Sequence, residues 1–193
     1  MNGDKQDFFN AKGPRVPSPA EDEIIAAQLD ILDIQPGARV LDVGCGSGVL
    51  IPHLSLRTAP QNITGIDICH NALAFAREKF PAVRFIEMDF MLNELPKKSF
   101  DYVLCYNAFP HFENPGRAFA TMADLAAPGG RIAVMHSIGR DALNRLHAEC
   151  APVAEDILSP LEIFRRWAGL RGLSAITAID APRMFMFAAR RAK

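Results

Sequence analysis

The most informative segment of this 193-residue chain reads Leu41-Asp42-Val43-Gly44-Cys45-Gly46-Ser47-Gly48. A short apolar strand, predicted over residues 39–43, runs here directly into three glycines at alternate positions. Glycines at a strand-to-helix turn permit a tight bend and let a ligand approach the backbone N–H groups closely. The segment therefore predicts a ligand-binding turn at the carboxyl end of a first strand.

Strands and helices alternate along the chain on either side of this turn. Strands are predicted over residues 39–43, 62–67, 83–87, 100–105, 131–136, 174–179 and 184–189, and helices over residues 49–57, 70–80, 115–126, 139–149 and 160–169. An earlier helix begins at Ser18, an N-cap with Glu21 completing a capping box, and is predicted to end at Pro36-Gly37. Strands separated by helices require crossovers, so the prediction is an α/β three-layer αβα sandwich with a Rossmann-like, mostly parallel sheet and a terminal hairpin.

Composition limits the class of protein. Hydrophobic residues make up 49% of the chain and charged residues 22%, with a net charge of −1, which is typical of one folded domain. The near-neutral charge argues against binding nucleic acid or anionic membrane through bulk charge. No stretch approaches the ~20 apolar residues of a membrane span, and no signal peptide is evident, so we expect a cytoplasmic protein.

The domain boundary is predicted near the Ser18 helix start. Residues 1–17 are interpreted as a flexible segment, or as a flap whose Phe8 and Phe9 cover a ligand, and residues 18–193 as a single domain. The four cysteines form no C-x-x-C pair and are interpreted as reduced thiols, and no metal site is predicted.

The glycine spacing indicates what kind of ligand the turn holds. Val49 stands where the dinucleotide fingerprint requires its third glycine, and Asp42 precedes the first glycine by two positions. A carboxylate there repels a pyrophosphate and attracts a cation. A nucleoside with a positive group and no phosphate fits this turn, and S-adenosylmethionine is such a ligand.

Acidic residues end the next two predicted strands. Asp67 ends the second strand and is suited to accept both ribose hydroxyls of a nucleoside. Asp89 follows the third strand and either accepts a hydrogen bond from the adenine amino group or closes a turn. Phe90 or Ile68 would lie against the adenine ring.

Five segments in order give the chain a family resemblance. They are VLDVGCGSG at 40–48, GID at 65–67, EMDF at 87–90, FDYVLCYNAFPHF at 100–112 and PGGRIAV at 128–134. The chain resembles a class I S-adenosylmethionine-dependent methyltransferase of the small kind, with little beyond the core domain. The resemblance implies a seven-stranded sheet with an antiparallel last strand, and cofactor contacts at Asp42, Gly44, Cys45, Gly46, Gly48, Asp67, Ile68, Asp89, Phe90 and Cys105.

Candidates for the transfer chemistry follow the fourth and fifth strands, where open α/β sheets bind ligands. Catalytic roles are predicted for Tyr106, His111 and His136, and substrate-binding roles for Asn107, Arg140, Asn144 and His147. The alternatives are packing of His111 against its phenylalanine neighbours, a satisfied strand-end role for His136, and a solvated helix face for the last three residues.

The acceptor is predicted to be a small molecule. Residues 105–110 read CYNAFP, unlike the (Asp/Asn/Ser)-Pro-Pro-(Tyr/Phe) segment common in enzymes that methylate amino groups of nucleic acids. We expect a thiol, hydroxyl or amine acceptor, no nucleic acid or membrane partner, and a monomer or homodimer. A nicotinamide-dependent oxidoreductase and a cofactor-binding module that acts through a partner protein are the alternatives.

Overall fold

The computed structural model describes residues 3–92 and 94–193 as a seven-stranded sheet flanked by helices. The strands are β1 (Val40–Val43), β2 (Ile63–Asp67), β3 (Arg84–Glu87), β4 (Phe100–Tyr106), β5 (Ala126–His136), β6 (Leu173–Ala181) and β7 (Met184–Arg191). The α-helices are α1 (Gly3–Ala11), α2 (Pro19–Leu32), α3 (Ile51–Ser55), α4 (His70–Lys79), α5 (Pro115–Leu125), α6 (Arg140–Ala148) and α7 (Leu161–Leu170).

The sheet has the order β3-β2-β1-β4-β5-β7-β6. The first five strands pair in parallel, and β7 pairs antiparallel with both β5 and β6. The chain leaves β1 toward β2 and β3, then returns to the other side of β1 with β4. This reversal opens a crevice at the carboxyl ends of β1 and β4, where such sheets bind ligands. The predicted fold class is confirmed.

Apolar side chains on both faces of the sheet form the core. On one face α5 and α7 place Phe119 and Phe164 against Phe187 of β7. On the other face α2 and α3 contribute Leu29 and Leu54, both fully buried. The central strands are therefore covered on both faces, as in parallel sheets generally.

Two predicted boundaries are wrong. Helix α2 ends at Leu32, before Pro36-Gly37, because Asp33 adopts a left-handed φ of 49° and its N–H bonds the carbonyl of Asp30. Strand β5 begins at Ala126 rather than at residue 131, since Ala126 pairs with Phe100 and an irregularity in the pairing absorbs the Pro-Gly-Gly segment.

The amino-terminal segment contains a helix. Helix α1 lies against α4, where Asn71 Nδ2 donates to the Asn10 carbonyl at 3.1 Å and Gln6 Nε2 donates to the Ile68 carbonyl at 3.2 Å. Residues 1 and 2 of the predicted segment lie outside the described residues. A flap function for residues 1–17 stays a prediction. Within residues 3–92 and 94–193, no helix is both long and apolar enough to cross a bilayer.

Candidate functional site

A cavity of about 320 Å³ lies at the carboxyl ends of β1, β2 and β4. Most of the sequence-predicted site residues line it: Asp42, Gly44, Cys45, Gly46, Asp67, Ile68, Asp89, Phe90, Tyr106, Asn107 and His111. They come from segments up to 70 positions apart, joined because parallel strands present their carboxyl ends at one edge of the sheet.

The glycine turn has a backbone that side chains would disturb. Gly44, Gly46 and Gly48 have φ angles of 70°, 51° and 84°, which glycine adopts without strain. A Cβ on Gly44 would lie 2.5 Å from Ala108 Cβ, whereas a Cβ on Gly46 would meet no described atom within 4 Å. Gly46 therefore leaves open space beside the cavity, as a closely approaching ligand requires.

Asp67 is fixed at the mouth of this turn. Its Oδ2 accepts from the Gly46 N–H at 2.7 Å and its Oδ1 from the Cys69 N–H at 2.8 Å. A carboxylate oxygen accepts more than one hydrogen bond, so both oxygens retain capacity for ligand hydroxyls. The two backbone contacts orient the carboxylate before any ligand binds.

Asp42 is the most unusual group in the site. It is 1% exposed, and neither carboxylate oxygen has a hydrogen-bond partner among the described residues. Burial and, secondarily, the charge of Asp67 raise the pKa of Asp42 to about 7. A cationic donor in the cavity would satisfy these oxygens, since a buried unpaired carboxylate is costly.

Asp89 has the turn role that the sequence allowed and also lines the cavity. Its Oδ1 accepts from the Met91 N–H at 2.9 Å. Ile68 and Phe90 line the cavity with it, and Met88 adds a further apolar side chain. This end of the cavity is therefore suited to a flat, largely apolar ring.

Glu21 and Arg15, which the sequence did not indicate as site residues, hold the part of the cavity wall next to α2. Glu21 accepts from the Tyr106 hydroxyl at 2.6 Å and from Asn107 Nδ2 at 3.2 Å, and it also pairs with Arg15. The Arg15 N–H donates to Ser47 Oγ at 3.0 Å, which fixes the amino-terminal segment to the glycine turn. Tyr106 is held by a carboxylate, and burial raises the pKa of its hydroxyl.

His111 belongs to a polar cluster that Asp156 organises. Asp156 Oδ2 lies 2.7 Å from His111 Nδ1, and its Oδ1 accepts from Lys5 Nζ of α1. The backbone carbonyl of Asp156 bonds His147 Nδ1. The rings of Phe9 and His147 lie 4.7 Å and 5.1 Å from the His111 ring, centroid to centroid. Neither Asp156 nor Lys5 was a sequence candidate.

The remaining candidates do not line the cavity. His136 is 1% exposed, packs against Phe185, and has no hydrogen-bond partner for either ring nitrogen within the described part of the chain. Burial lowers the pKa of His136 to about 3, so it is neutral at physiological pH. Its predicted catalytic role therefore has no support from the geometry.

Structural contacts occupy the other predicted residues outside the cavity. Arg140 pairs with Asp141 and Asp180, and Asn144 holds the backbone N–H and carbonyl of Leu158. His147 contacts the backbone carbonyl of Asp156. Cys105 is fully buried, and Gly48 leaves room for the ring of Phe80. Across the described residues, no group of three or more side chains suits a metal ion.

The doubly wound sheet with a cavity at the carboxyl ends of its central strands is the arrangement in which open α/β proteins bind their ligands. Residues 41–134 match the family model of a methyltransferase domain. Over these residues the chain therefore carries a methyltransferase domain, as the sequence predicted.

Known relatives cover part of the chain. An uncharacterized methyltransferase of Mycobacterium tuberculosis is 37% identical over 98 residues, 50% of this chain and 49% of that protein. A phosphatidylethanolamine N-methyltransferase of Cereibacter sphaeroides is 34% identical over 54% of this chain and 53% of that protein. A ubiquinone biosynthesis O-methyltransferase of Dechloromonas aromatica is 36% identical over 50% of this chain and 43% of that protein. The chain spans about half the length of the curated relatives it matches.

The fold extends beyond the matched sequence. The crystal structure of an S-adenosylmethionine-dependent methyltransferase from Mesorhizobium loti superposes with a TM-score of 0.73 at 18% identity, covering 89% of this chain and 100% of that one. At this identity the likeness concerns the fold alone.

Proposed function

We propose that this protein transfers a methyl group from S-adenosylmethionine to a small-molecule acceptor. The observation that carries the proposal is Asp42, a buried carboxylate with no partner among the described residues, in the wall of the cavity beside the glycine turn. Its charge fits a ligand that brings a cation to this point and argues against a pyrophosphate, as in a nicotinamide dinucleotide.

The other residues fit the same ligand. Asp67 would hold the ribose hydroxyls, and Gly46 leaves the open space in which a nucleoside approaches the turn. Ile68 and Phe90 would contact the adenine ring, with Asp89 toward its amino group. The bound cofactor supplies an electrophilic methyl group on a sulfonium. The protein aligns the acceptor with that methyl group and excludes water.

The acceptor would occupy the part of the cavity toward α1. Phe9, Tyr106, Asn107, His111 and Phe112 line this part. The cavity volume suits small ligands rather than a polymer. Relatives named as N- and O-methyltransferases support methyl transfer without deciding between acceptor atoms.

Isothermal titration tests the cofactor. We expect saturable, one-to-one binding of S-adenosylhomocysteine and of S-adenosylmethionine, and weaker or no binding of NADH under the same conditions. Absence of binding at millimolar S-adenosylhomocysteine, with the protein shown to be folded by circular dichroism, would exclude the proposal.

A further inference from the structure

His111 of the cavity wall pairs with Asp156, which also pairs with Lys5, and this cluster joins three distant parts of the chain. His111 follows β4, Asp156 follows α6, and Lys5 lies on α1. The Asp156 side chain is only 7% exposed and pairs with both partners. A buried carboxylate that is held by a lysine and bonds a histidine of a cavity wall can orient that histidine toward a ligand.

Asp156 determines which nitrogen of His111 can react. Because Asp156 Oδ2 lies 2.7 Å from Nδ1, that nitrogen carries the proton when the ring is neutral. The Nε2 lone pair is then the one able to accept a proton. The neighbouring rings of Phe9 and His147 restrict the orientation of the imidazole.

Burial favours the neutral form of His111 although a carboxylate lies beside the ring. Burial is the largest effect and lowers the pKa of His111, the hydrogen bond and charge of Asp156 raise it, and the electrostatic effects of His147 and Lys5 lower it, with a lowered pKa as the net result. His136 also lies near enough for His111 to influence its pKa. A neutral imidazole oriented by a carboxylate is suited to general-base catalysis.

The surroundings indicate which acceptor needs such a base. The side chains of Phe9, Phe112 and Met91 give this part of the cavity an apolar wall. Its charged side chains carry both signs, because Lys12 and Arg15 are positive and Glu113 is negative. This part of the cavity is therefore not a cage of carboxylates for an ammonium group. A phenol or thiol gains nucleophilicity by losing its proton as the bond to carbon forms, whereas a neutral amine already has a free lone pair.

On these grounds, and resting on the proposed function, we propose that His111 is the general base for methyl transfer, positioned by Asp156 and Lys5, and that the acceptor is an apolar molecule bearing a phenol-like hydroxyl or a thiol. His111 Nε2 takes the proton of the O–H or S–H group. The acceptor oxygen or sulfur forms a bond to the methyl carbon. The carbon–sulfur bond to the sulfonium breaks, and its electron pair stays on the cofactor sulfur.

The first test measures the imidazole without any acceptor. In ¹⁵N-labelled protein saturated with S-adenosylhomocysteine, we expect a neutral His111 with the proton on Nδ1 at pH 7.5. Asp156→Asn should lower the pKa of His111 and weaken this tautomer, and Lys5→Gln should raise the pKa. Asp22→Asn is the matched control, because Asp22 pairs with His53 at 2.8 Å and neither residue lines the cavity. It should leave the His111 signals unchanged.

The second test measures transfer at pH 7.5 to three probes, catechol, benzyl mercaptan and aniline, at saturating S-adenosylmethionine. The first two keep their proton at this pH and aniline is a neutral amine, so we expect methylation of catechol or benzyl mercaptan that depends on His111. His111→Gln and Asp156→Asn should lower kcat by about 100-fold or more, the usual range for a general base. The affinity for S-adenosylhomocysteine should stay within about threefold.

The outcomes separate the two proposals. Loss of S-adenosylhomocysteine binding by the folded wild-type protein contradicts the proposed function. If the cofactor binds, three results would each overturn the proposed role of His111, whether or not a probe is methylated. These are a charged His111 ring at pH 7.5, a neutral ring with its proton on Nε2, and a His111 pKa that is unchanged in Asp156→Asn. Methylation of aniline alone, or full activity of His111→Gln on catechol or benzyl mercaptan, overturns this role as well.

Discussion

Replacing Asp42 with asparagine should have opposite effects on the ligand-free protein and on cofactor binding. Asparagine has nearly the same shape and removes only the titratable charge. The wild-type carboxyl is 1% exposed, has no hydrogen-bond partner among the described residues, and has a pKa raised to about 7 by burial and by Asp67.

The size and sign of the effect follow from the two pKa values. An unfolded aspartate titrates near 3.9, so between about pH 4 and pH 7 the folded protein binds more protons than the unfolded chain, and the free energy of unfolding falls as pH rises. At about 1.4 kcal/mol per pKa unit, the full difference is about 4 kcal/mol as an upper bound. About 2.5 kcal/mol of it falls between pH 5 and pH 8. Asp42→Asn removes this dependence.

Urea unfolding of both proteins at pH 5 and pH 8, without cofactor, measures the effect. His136 titrates in the opposite direction but is present in both proteins, so the difference between their pH dependences isolates Asp42. We expect wild type to lose about 2–3 kcal/mol more than Asp42→Asn over this range. An identical pH dependence of the two proteins would refute the reasoning.

The charge of Asp42 that destabilises the ligand-free protein should strengthen cofactor binding. As Asp42 becomes charged near pH 7, wild-type affinity for S-adenosylmethionine should increase with pH. Asp42→Asn should bind more weakly at pH 8 and lose this increase. Tighter binding by Asp42→Asn at pH 8 would contradict the proposed contact between Asp42 and the cationic end of the cofactor.

Three further predictions concern individual residues. Asp67→Ala removes the acceptor of the Gly46 and Cys69 N–H groups and the proposed ribose contact, so titration should show cofactor affinity reduced more than tenfold; unchanged affinity would exclude the ribose role. Gly46→Ala, at φ 51°, should destabilise the protein by about 1–2 kcal/mol, whereas the same change at Gly169 in α7, also with open space around it, should be neutral or stabilising, as thermal unfolding will show. His136→Leu should reduce acid sensitivity, because burial lowers the pKa of His136 to about 3 from an unfolded value near 6.5. The stability that neutral His136 contributes is present above pH 6.5, and urea unfolding should show that wild type loses about 3 kcal/mol more than the variant by pH 4.

Local features of the sequence were sufficient to predict the part of the cavity beside the glycine turn. The glycine turn, Asp42 and Asp67 occupy the ends of short strands, and a parallel sheet brings strand ends together whatever their distance in sequence. The cavity accordingly contains these residues together with Asp89 and Phe90.

The prediction for His136 shows that sequence patterns do not indicate which side chains of a fully buried strand line the cavity. Residues 132–136 of β5 are all buried, because helices cover both faces of the central sheet. Alternation along the strand therefore does not separate a cavity-facing side chain from a core one. The i, i+4, i+7 pattern of Arg140, Asn144 and His147 correctly indicates one helix face, but that face packs against residues 156–158 and Asp180 instead of lining the cavity.

By itself, the sequence determined the order of the strands and of the helices from α2 onward, the family resemblance, and the turn with its two aspartates. These features depend on backbone propensities and on residues within one strand–turn–helix unit. Only the tertiary structure decided that Arg15 lines the cavity, that Glu21 holds Tyr106 and Asn107 of its wall, and that His111 pairs with Asp156, 45 positions away, which in turn pairs with Lys5. Those contacts join loops and an amino-terminal helix whose relative positions are set by packing across the whole domain, and no local pattern encodes that packing.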